Sequence, residues 1–176
     1  MKPLAWGAKV SPEFRHKVRA IAFNLDADPD HLMACMAFET GRTFSPSVRN
    51  ALSKAVGLIQ FMGPTAIYLG TTQAELALMT AEVQLDWVYK YLKPFTGKLK
   101  TVEDFYLAIL LPAAVGKTND FVVFDKESLT HPRWYLQNRG LDTDGNSKIT
   151  KFEAANGART MLQLGLHPEN IEQELV

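Results

Sequence analysis

Residues 33–62 read MACMAFETGRTFSPSVRNALSKAVGLIQFM, and the rest of the chain is interpreted around this stretch. Its first residues, together with Leu32, are almost all apolar or small, which predicts a buried helix. Gly41 follows two residues after Glu39, and a glycine in this place usually ends a helix. The pattern therefore puts one carboxyl group at a helix C-terminus, next to apolar neighbours.

Two physical effects predict a raised pKa for Glu39. Desolvation disfavours the carboxylate anion, and the negative end of the helix dipole repels it. A glutamic acid that stays protonated near neutral pH is a general acid suited to breaking a glycosidic bond. The alternative interpretation is a solvated surface residue, which is common at helix ends.

Residues 57–62, GLIQFM, form an apolar run that contains one uncharged amide, Gln60. An amide both donates and accepts hydrogen bonds, so Gln60 is a candidate for binding a sugar hydroxyl or N-acetyl group. The same run taken alone is typical of a hydrophobic core.

Glu39-Thr40 followed by the Gly-Leu-Ile-Gln of residues 57–60 resembles the signature of soluble lytic transglycosylases and goose-type lysozymes. The segments GRTFSPSVRN, LGTT, QLDWVYKYL and LPAAVGK are similar to the small transglycosylases of bacteriophages, and the resemblance extends well over residues 32–116. It implies a single, mainly α, lysozyme-like domain over residues 1–176, with Glu39 as the catalytic residue and bacterial peptidoglycan as the substrate.

Two further substrate-binding candidates follow from the resemblance. Gln84 stands where transglycosylases carry the Asn of an Asn-Ile pair, so it is either a ligand-side residue or an exposed polar position. The family's Ala-x-Tyr-Asn-x-Gly segment is replaced by LPAAVG at residues 111–116, which lacks the Tyr and the Asn. Tyr106, about one turn earlier, is the candidate to supply a hydroxyl from the same face.

No Asp or Glu occurs from Thr40 to Ala74. Glycosidases with two carboxylates need a second acid as nucleophile or base, and goose-type lysozymes place candidate acids in the corresponding stretch. The absence favours a mechanism with one acid, although a second acid could come from elsewhere in the fold. The open alternatives are a hydrolytic muramidase that uses the same Glu39, and a non-catalytic glycan-binding or virion structural module.

Residues 142–153, DTDGNSKITKFE, have the spacing of an EF-hand loop. Oxygen ligands would come from Asp142, Asp144, Asn146, the backbone of Lys148 and Glu153. Ser147 occupies the position that usually holds a glycine with positive φ. A residue with a side chain in that conformation costs on the order of 1 kcal/mol of backbone strain. Either the loop binds a structural calcium ion, or Thr150 and Glu153 simply form a capping box for the next helix. We expect no cofactor to be required for catalysis.

The composition of the chain indicates which kinds of binding partner to expect. The 176 residues carry no net charge, with a pI of about 6.9, so nothing favours nucleic acid. Cys35 is the only cysteine, which excludes an intrachain disulfide. Residues 1–18 lack the apolar core of a signal peptide, and no apolar run is long enough to span a membrane. The resemblance implies a phage-encoded enzyme, which we expect to be monomeric. It would act in the periplasm or cell wall after release through a membrane lesion or carriage in the virion.

Local signals predict the helix starts. Ser11-Pro12 and Asp28-Pro29 are typical of an N-cap followed by the first helical residue, and Thr72 with Glu75 predicts a capping box. The strand-like stretch 120–125 predicts a short hairpin or an extended loop, and a single helix is expected over about 151–164. The acidic tail from residue 168 is expected to be frayed.

Overall fold

The computed structural model describes residues 2–173 and is mainly helical, as the sequence predicts. The helices lie in this order: α1 Pro12–Leu25, α2 Pro29–Glu39, α3 Gly63–Leu69, α4 Gln73–Leu78, α5 Ala81–Leu92, α6 Val102–Leu110, α7 Pro132–Asn138, α8 Lys151–Ala154 and α9 Asn156–Gly165. The strands are β1 Val122–Asp125 and β2 Lys148–Thr150, and short 3-10 turns cover Gly7–Lys9, Lys93–Phe95, Pro112–Ala114 and Arg139–Leu141. None of the described helices is long and apolar enough to cross a membrane.

Helix α2 lies at the centre of the fold and packs against α1, α6 and α9. Its residues 32–37 are all fully buried, so the helix has no solvent face along this length. A helix that is apolar on every side is stable only when other elements surround it. The surrounding helices therefore fix the position of its last residue, Glu39.

Glycine permits the closest approach between α2 and α9. A Cβ atom at Gly157 of α9 would lie 2.1 Å from Cε2 of Phe38, far inside van der Waals contact. Without a side chain at residue 157, the Phe38 ring fits against the α9 backbone. This packing sets the orientation of Phe38, which directly precedes Glu39.

The predicted helix starts are confirmed. The Ser11 hydroxyl accepts a hydrogen bond from the backbone of Phe14, and Asp28 caps α2 in the same manner. Thr72 with Glu75 and Thr150 with Glu153 both form complete capping boxes. Each cap satisfies backbone N–H groups that a helix start otherwise leaves unpaired.

Strand β1 falls inside the predicted extended stretch, and it pairs antiparallel with β2. Its partner comes from the EF-hand-like loop about 25 residues later, so the pair is not a tight hairpin. The single helix expected over 151–164 is wrong, because the chain turns at Ala155 and divides it into α8 and α9. The turn lets Lys151 of α8 reach Asp104 while Gly157 of α9 packs on α2.

Residues near the two ends of the chain contact each other. Glu172 accepts a hydrogen bond from the backbone N–H of Leu4 and forms ion pairs with Arg15 and Arg19 of α1. The expectation of a frayed tail is therefore wrong up to residue 173, because two guanidinium groups neutralise the acid and hold it. Glu174, part of the same predicted tail, lies outside the described residues.

Candidate active site

Glu39 is the last residue of α2 and is half-buried. Burial raises the pKa of its carboxyl group to about 7 from an ordinary value of 4.5. Among residues 2–173, no other charged group and no hydrogen-bond donor contributes to this shift. Desolvation alone therefore keeps the carboxyl protonated close to neutral pH, in the direction that the sequence predicts.

Tyr106 of α6 lies beside Glu39. Its ring packs edge-on against Phe38, with centroids 5.4 Å apart. Burial raises the pKa of the Tyr106 hydroxyl, and the negative charge of Glu39 raises it further, so the two groups are within electrostatic range of each other. The hydroxyl is thus a neutral hydrogen-bonding group at the pH where Glu39 titrates.

Thr40 joins the catalytic candidate to the long loop that follows it. Its side chain is buried, and its hydroxyl donates to the carbonyl of Met36 (2.7 Å) and accepts from the N–H of Phe44 (3.0 Å). Phe44 is itself buried against the rings of Trp6 and Phe14. A threonine after the glutamate therefore anchors the loop to the core rather than facing a ligand.

The backbone of Gln60 has a left-handed conformation, with φ of 51°, at the end of a tight turn. Its side-chain nitrogen donates to the carbonyls of Gly57 (3.0 Å) and Val48 (3.4 Å), so both amide hydrogens are used within the loop. No donor among residues 2–173 reaches its side-chain oxygen. The amide is therefore held in place and presents an acceptor, not the combined donor and acceptor expected from the sequence.

Gln84 is fully buried, which corrects both interpretations made from the sequence. Its side-chain oxygen accepts from the N–H of Leu58 (2.7 Å), and its nitrogen donates to the carbonyls of Pro46 (2.9 Å) and Leu76 (2.8 Å). An amide that is fully buried and makes three hydrogen bonds inside the protein is neither an exposed residue nor free to bind a ligand. It ties the loop of residues 46–58 to α4 and α5.

The candidate metal loop is a separate site. Carboxylate oxygens of Asp142, Asp144 and Glu153 lie within 4.8 Å of one another. Within residues 2–173 none of the three forms an ion pair, and hard oxygen donors in this arrangement suit calcium. Ser147 adopts the predicted positive φ, at 69°.

Several polar groups of this loop already form hydrogen bonds within the protein. Asp142 accepts hydrogen bonds from the Tyr135 hydroxyl (2.7 Å) and the Ser147 N–H (3.0 Å), and the Asn146 side-chain oxygen accepts from the Lys148 N–H (2.8 Å). The Asn146 oxygen thus already accepts one hydrogen bond, from the N–H rather than the carbonyl of Lys148, and Lys148 also pairs with Asp125 in the sheet. The loop is shaped by its own hydrogen bonds, and calcium binding stays a prediction.

The structure brings Glu39 and Tyr106 together. Gln60, Met62, Tyr91 and Ile109 line one small cavity, and Ile109 lies one helical turn after Tyr106 on α6. Tyr91 and Ile109 were not site candidates from the sequence, because aromatic and apolar residues at helical spacing are typical of a core. No family model matches the sequence, and no curated protein matches it.

Proposed function

We propose that this protein is a lytic transglycosylase that cleaves the glycosidic bond between N-acetylmuramic acid and N-acetylglucosamine in peptidoglycan. One observation carries the proposal: Glu39 is a half-buried acid whose pKa is raised to about 7 without any charged partner among the described residues. A lone acid with a pKa near the working pH can first give and then take a proton. The motif that joins Glu39-Thr40 to residues 57–60 supports the choice of substrate.

In the proposed reaction, protonated Glu39 donates its proton to the bridging oxygen while the bond from that oxygen to the muramoyl anomeric carbon breaks. Glu39, now an anion, removes the proton from the C6 hydroxyl of the same muramoyl residue. The C6 oxygen then bonds to the anomeric carbon and closes an anhydro ring. Glu39 returns to its protonated form, and no water is consumed.

Gln60 and Tyr106 would hold the sugars. The side-chain oxygen of Gln60, whose nitrogen is bonded to Gly57 and Val48, would accept a hydrogen bond from a sugar hydroxyl or an N-acetyl N–H. The Tyr106 hydroxyl, kept neutral by burial, would offer both a donor and an acceptor beside the reacting atoms. Gln84 acts only indirectly, since it fixes the loop that carries Gln60.

A hydrolytic muramidase is the nearest alternative, because it would use the same Glu39 with water as the nucleophile. That chemistry is helped by a second carboxylate that activates the water or stabilises the sugar cation. No second acid lies close enough to affect the pKa of Glu39 among residues 2–173. The absence of a second acid near Glu39 among these residues supports the transglycosylase over the muramidase.

The test is mass spectrometry of the muropeptides released from purified sacculi, with Glu39→Gln as the inactive control. Anhydromuramoyl products from the wild type alone support the proposal. Products heavier by one water identify a lysozyme. Binding to sacculi without release of any product identifies a non-catalytic glycan-binding module.

The site of action belongs to the same proposal. Peptidoglycan lies outside the cytoplasmic membrane, and no described helix could span that membrane. We propose that a phage-encoded monomer reaches the wall through a membrane lesion or within the virion.

A further inference from the structure

A cavity of about 590 Å³ lies at the N-terminal end of α6, away from the Glu39 site. We call it the lysine cavity, because four of the nine residues that line it are lysines: Lys98, Lys100, Lys117 and Lys151. The remaining lining residues are Thr101, Asp104, Gly116, Thr118 and Asn119. Neither Glu39 nor Gln60 borders it, so its chemistry is independent of the proposed catalysis.

A buried ion pair forms the floor of the lysine cavity. Lys151 is almost completely buried, and its ammonium group donates to Asp104 and to the carbonyl of Lys117 (2.9 Å). Asp104 also accepts from the backbone N–H of Gly116 (2.8 Å) and from the Thr101 hydroxyl (3.2 Å). A buried ion pair that makes these further hydrogen bonds holds the 116–119 turn against the start of α6.

The walls carry positive charge that the protein itself does not neutralise. Among residues 2–173, Asp104 is the only acid that lines the lysine cavity, and it is already paired with Lys151. Lys100 is paired with Asp26 at the surface. Within residues 2–173, neither Lys98 nor Lys117 forms an ion pair, although both border the same space. The Lys117 ammonium group lies 5.7 Å from the centre of the Phe121 ring, a contact that leaves its charge without a counterion. Two positive charges at the border of the cavity are thus not neutralised by the described residues.

We propose that the lysine cavity binds a phosphate group, either free or as a monoester on a larger molecule. A phosphate monoester carries between 1.5 and 2 negative charges near neutral pH, roughly the charge of Lys98 and Lys117. A carboxylate would neutralise only one of them. Lysine binds phosphate as a point charge, and the volume of the cavity leaves room for a sugar attached to the phosphate.

The test compares two double variants that lose the same charge. Lys98→Ser with Lys117→Ser removes two ammonium groups from the lysine cavity. Lys9→Ser with Lys126→Ser removes two exposed lysines that do not line it. Titration of inorganic phosphate, glucose 6-phosphate, glucose and acetate is followed by calorimetry and by the amide resonances of residues 116–119. Thermal unfolding confirms that both variants are folded.

We expect saturable binding of phosphate with resonance shifts at residues 116–119, and an affinity lower by about tenfold or more in the cavity variant only. Glucose 6-phosphate binding more tightly than inorganic phosphate would identify a sugar phosphate as the source, and equal affinities would identify free phosphate. Three results would overturn the proposal. They are no saturable binding of phosphate, binding of acetate or glucose as tight as that of the phosphates, and an equal loss of phosphate affinity in both double variants. Because Glu39→Gln leaves this cavity intact, it should bind phosphate like the wild type.

Discussion

The side chain of Gln84 lies directly against the backbone of Gly57. A Cβ atom at residue 57 would stand 2.2 Å from the Gln84 side-chain oxygen, which accepts its hydrogen bond from the neighbouring Leu58. Gly57 also has a φ of 83°, which disfavours any residue with a side chain. The glycine that opens the Gly-Leu-Ile-Gln turn is therefore required for a buried amide to support that turn.

The first prediction concerns this contact. Gly57→Ala should lower the free energy of unfolding by about 2–4 kcal/mol, because overpacking against Gln84 adds to the strain of a positive φ. Gly97→Ala is the matched control, since Gly97 has a φ of 77° and open space around its Cβ position. The free energy of unfolding of this control variant should fall by only about 1 kcal/mol, from backbone strain. Chemical denaturation measures both, and equal losses would show that the contact with Gln84 is unimportant.

The second prediction concerns catalysis. Glu39→Gln keeps the shape of the side chain but removes the proton that it exchanges, so the release of muropeptides should fall by at least about 1,000-fold. Its unfolding transition should remain cooperative. Glu127→Gln, which changes an exposed glutamate, should keep the wild-type rate. A Glu39→Gln variant that retains a tenth or more of the rate would exclude Glu39 as the general acid.

The third prediction is the pH dependence of activity. The proton that Glu39 donates is lost as the pH rises through its pKa of about 7. The initial rate of muropeptide release should therefore decline above about pH 7, by about tenfold for each further pH unit. Rates measured between about pH 5 and pH 9 test this. A constant rate up to pH 9 would contradict a general acid with this pKa.

The fourth prediction is the pH dependence of stability. The unfolded chain releases the Glu39 proton near pH 4.5, whereas the folded protein keeps it until about pH 7. Between these values the folded state binds more protons, so this residue's contribution to stability is lost as the pH rises. Relative to the wild type, Glu39→Gln should gain up to about 3 kcal/mol between pH 4.5 and pH 8. Denaturation of both proteins at each pH measures the difference, and parallel curves would refute it.

The fifth prediction concerns calcium. If Asp142, Asp144 and Glu153 hold the ion, calcium binds the folded loop and should raise the melting temperature, while magnesium should have a smaller effect. Asp144→Asn should weaken the response, and Asp120→Asn, an exposed control, should not. Unfolding curves with calcium and with a chelator provide the measurement. A melting temperature that does not respond to calcium would leave the loop as a purely hydrogen-bonded turn.

Local features of the chain were predictable from sequence because their causes are local. A threonine with a glutamate three residues later makes a capping box whatever surrounds it, as Thr72 and Thr150 show. The continuous apolar run of α2 determined that this helix is buried and that Glu39 stands at its end. The raised pKa of Glu39 followed from the same apolar neighbours.

Tertiary structure alone decided what the polar side chains contact. Gln84 was a candidate for ligand binding because its sequence neighbourhood says nothing about the loop that folds over it from residues 46–58. The ion pair of Lys151 with Asp104 joins residues 47 positions apart, and it builds a cavity that no local pattern indicates. Periodicity reports which face of a helix is apolar, whereas the partner of a buried polar group depends on which distant segments pack together.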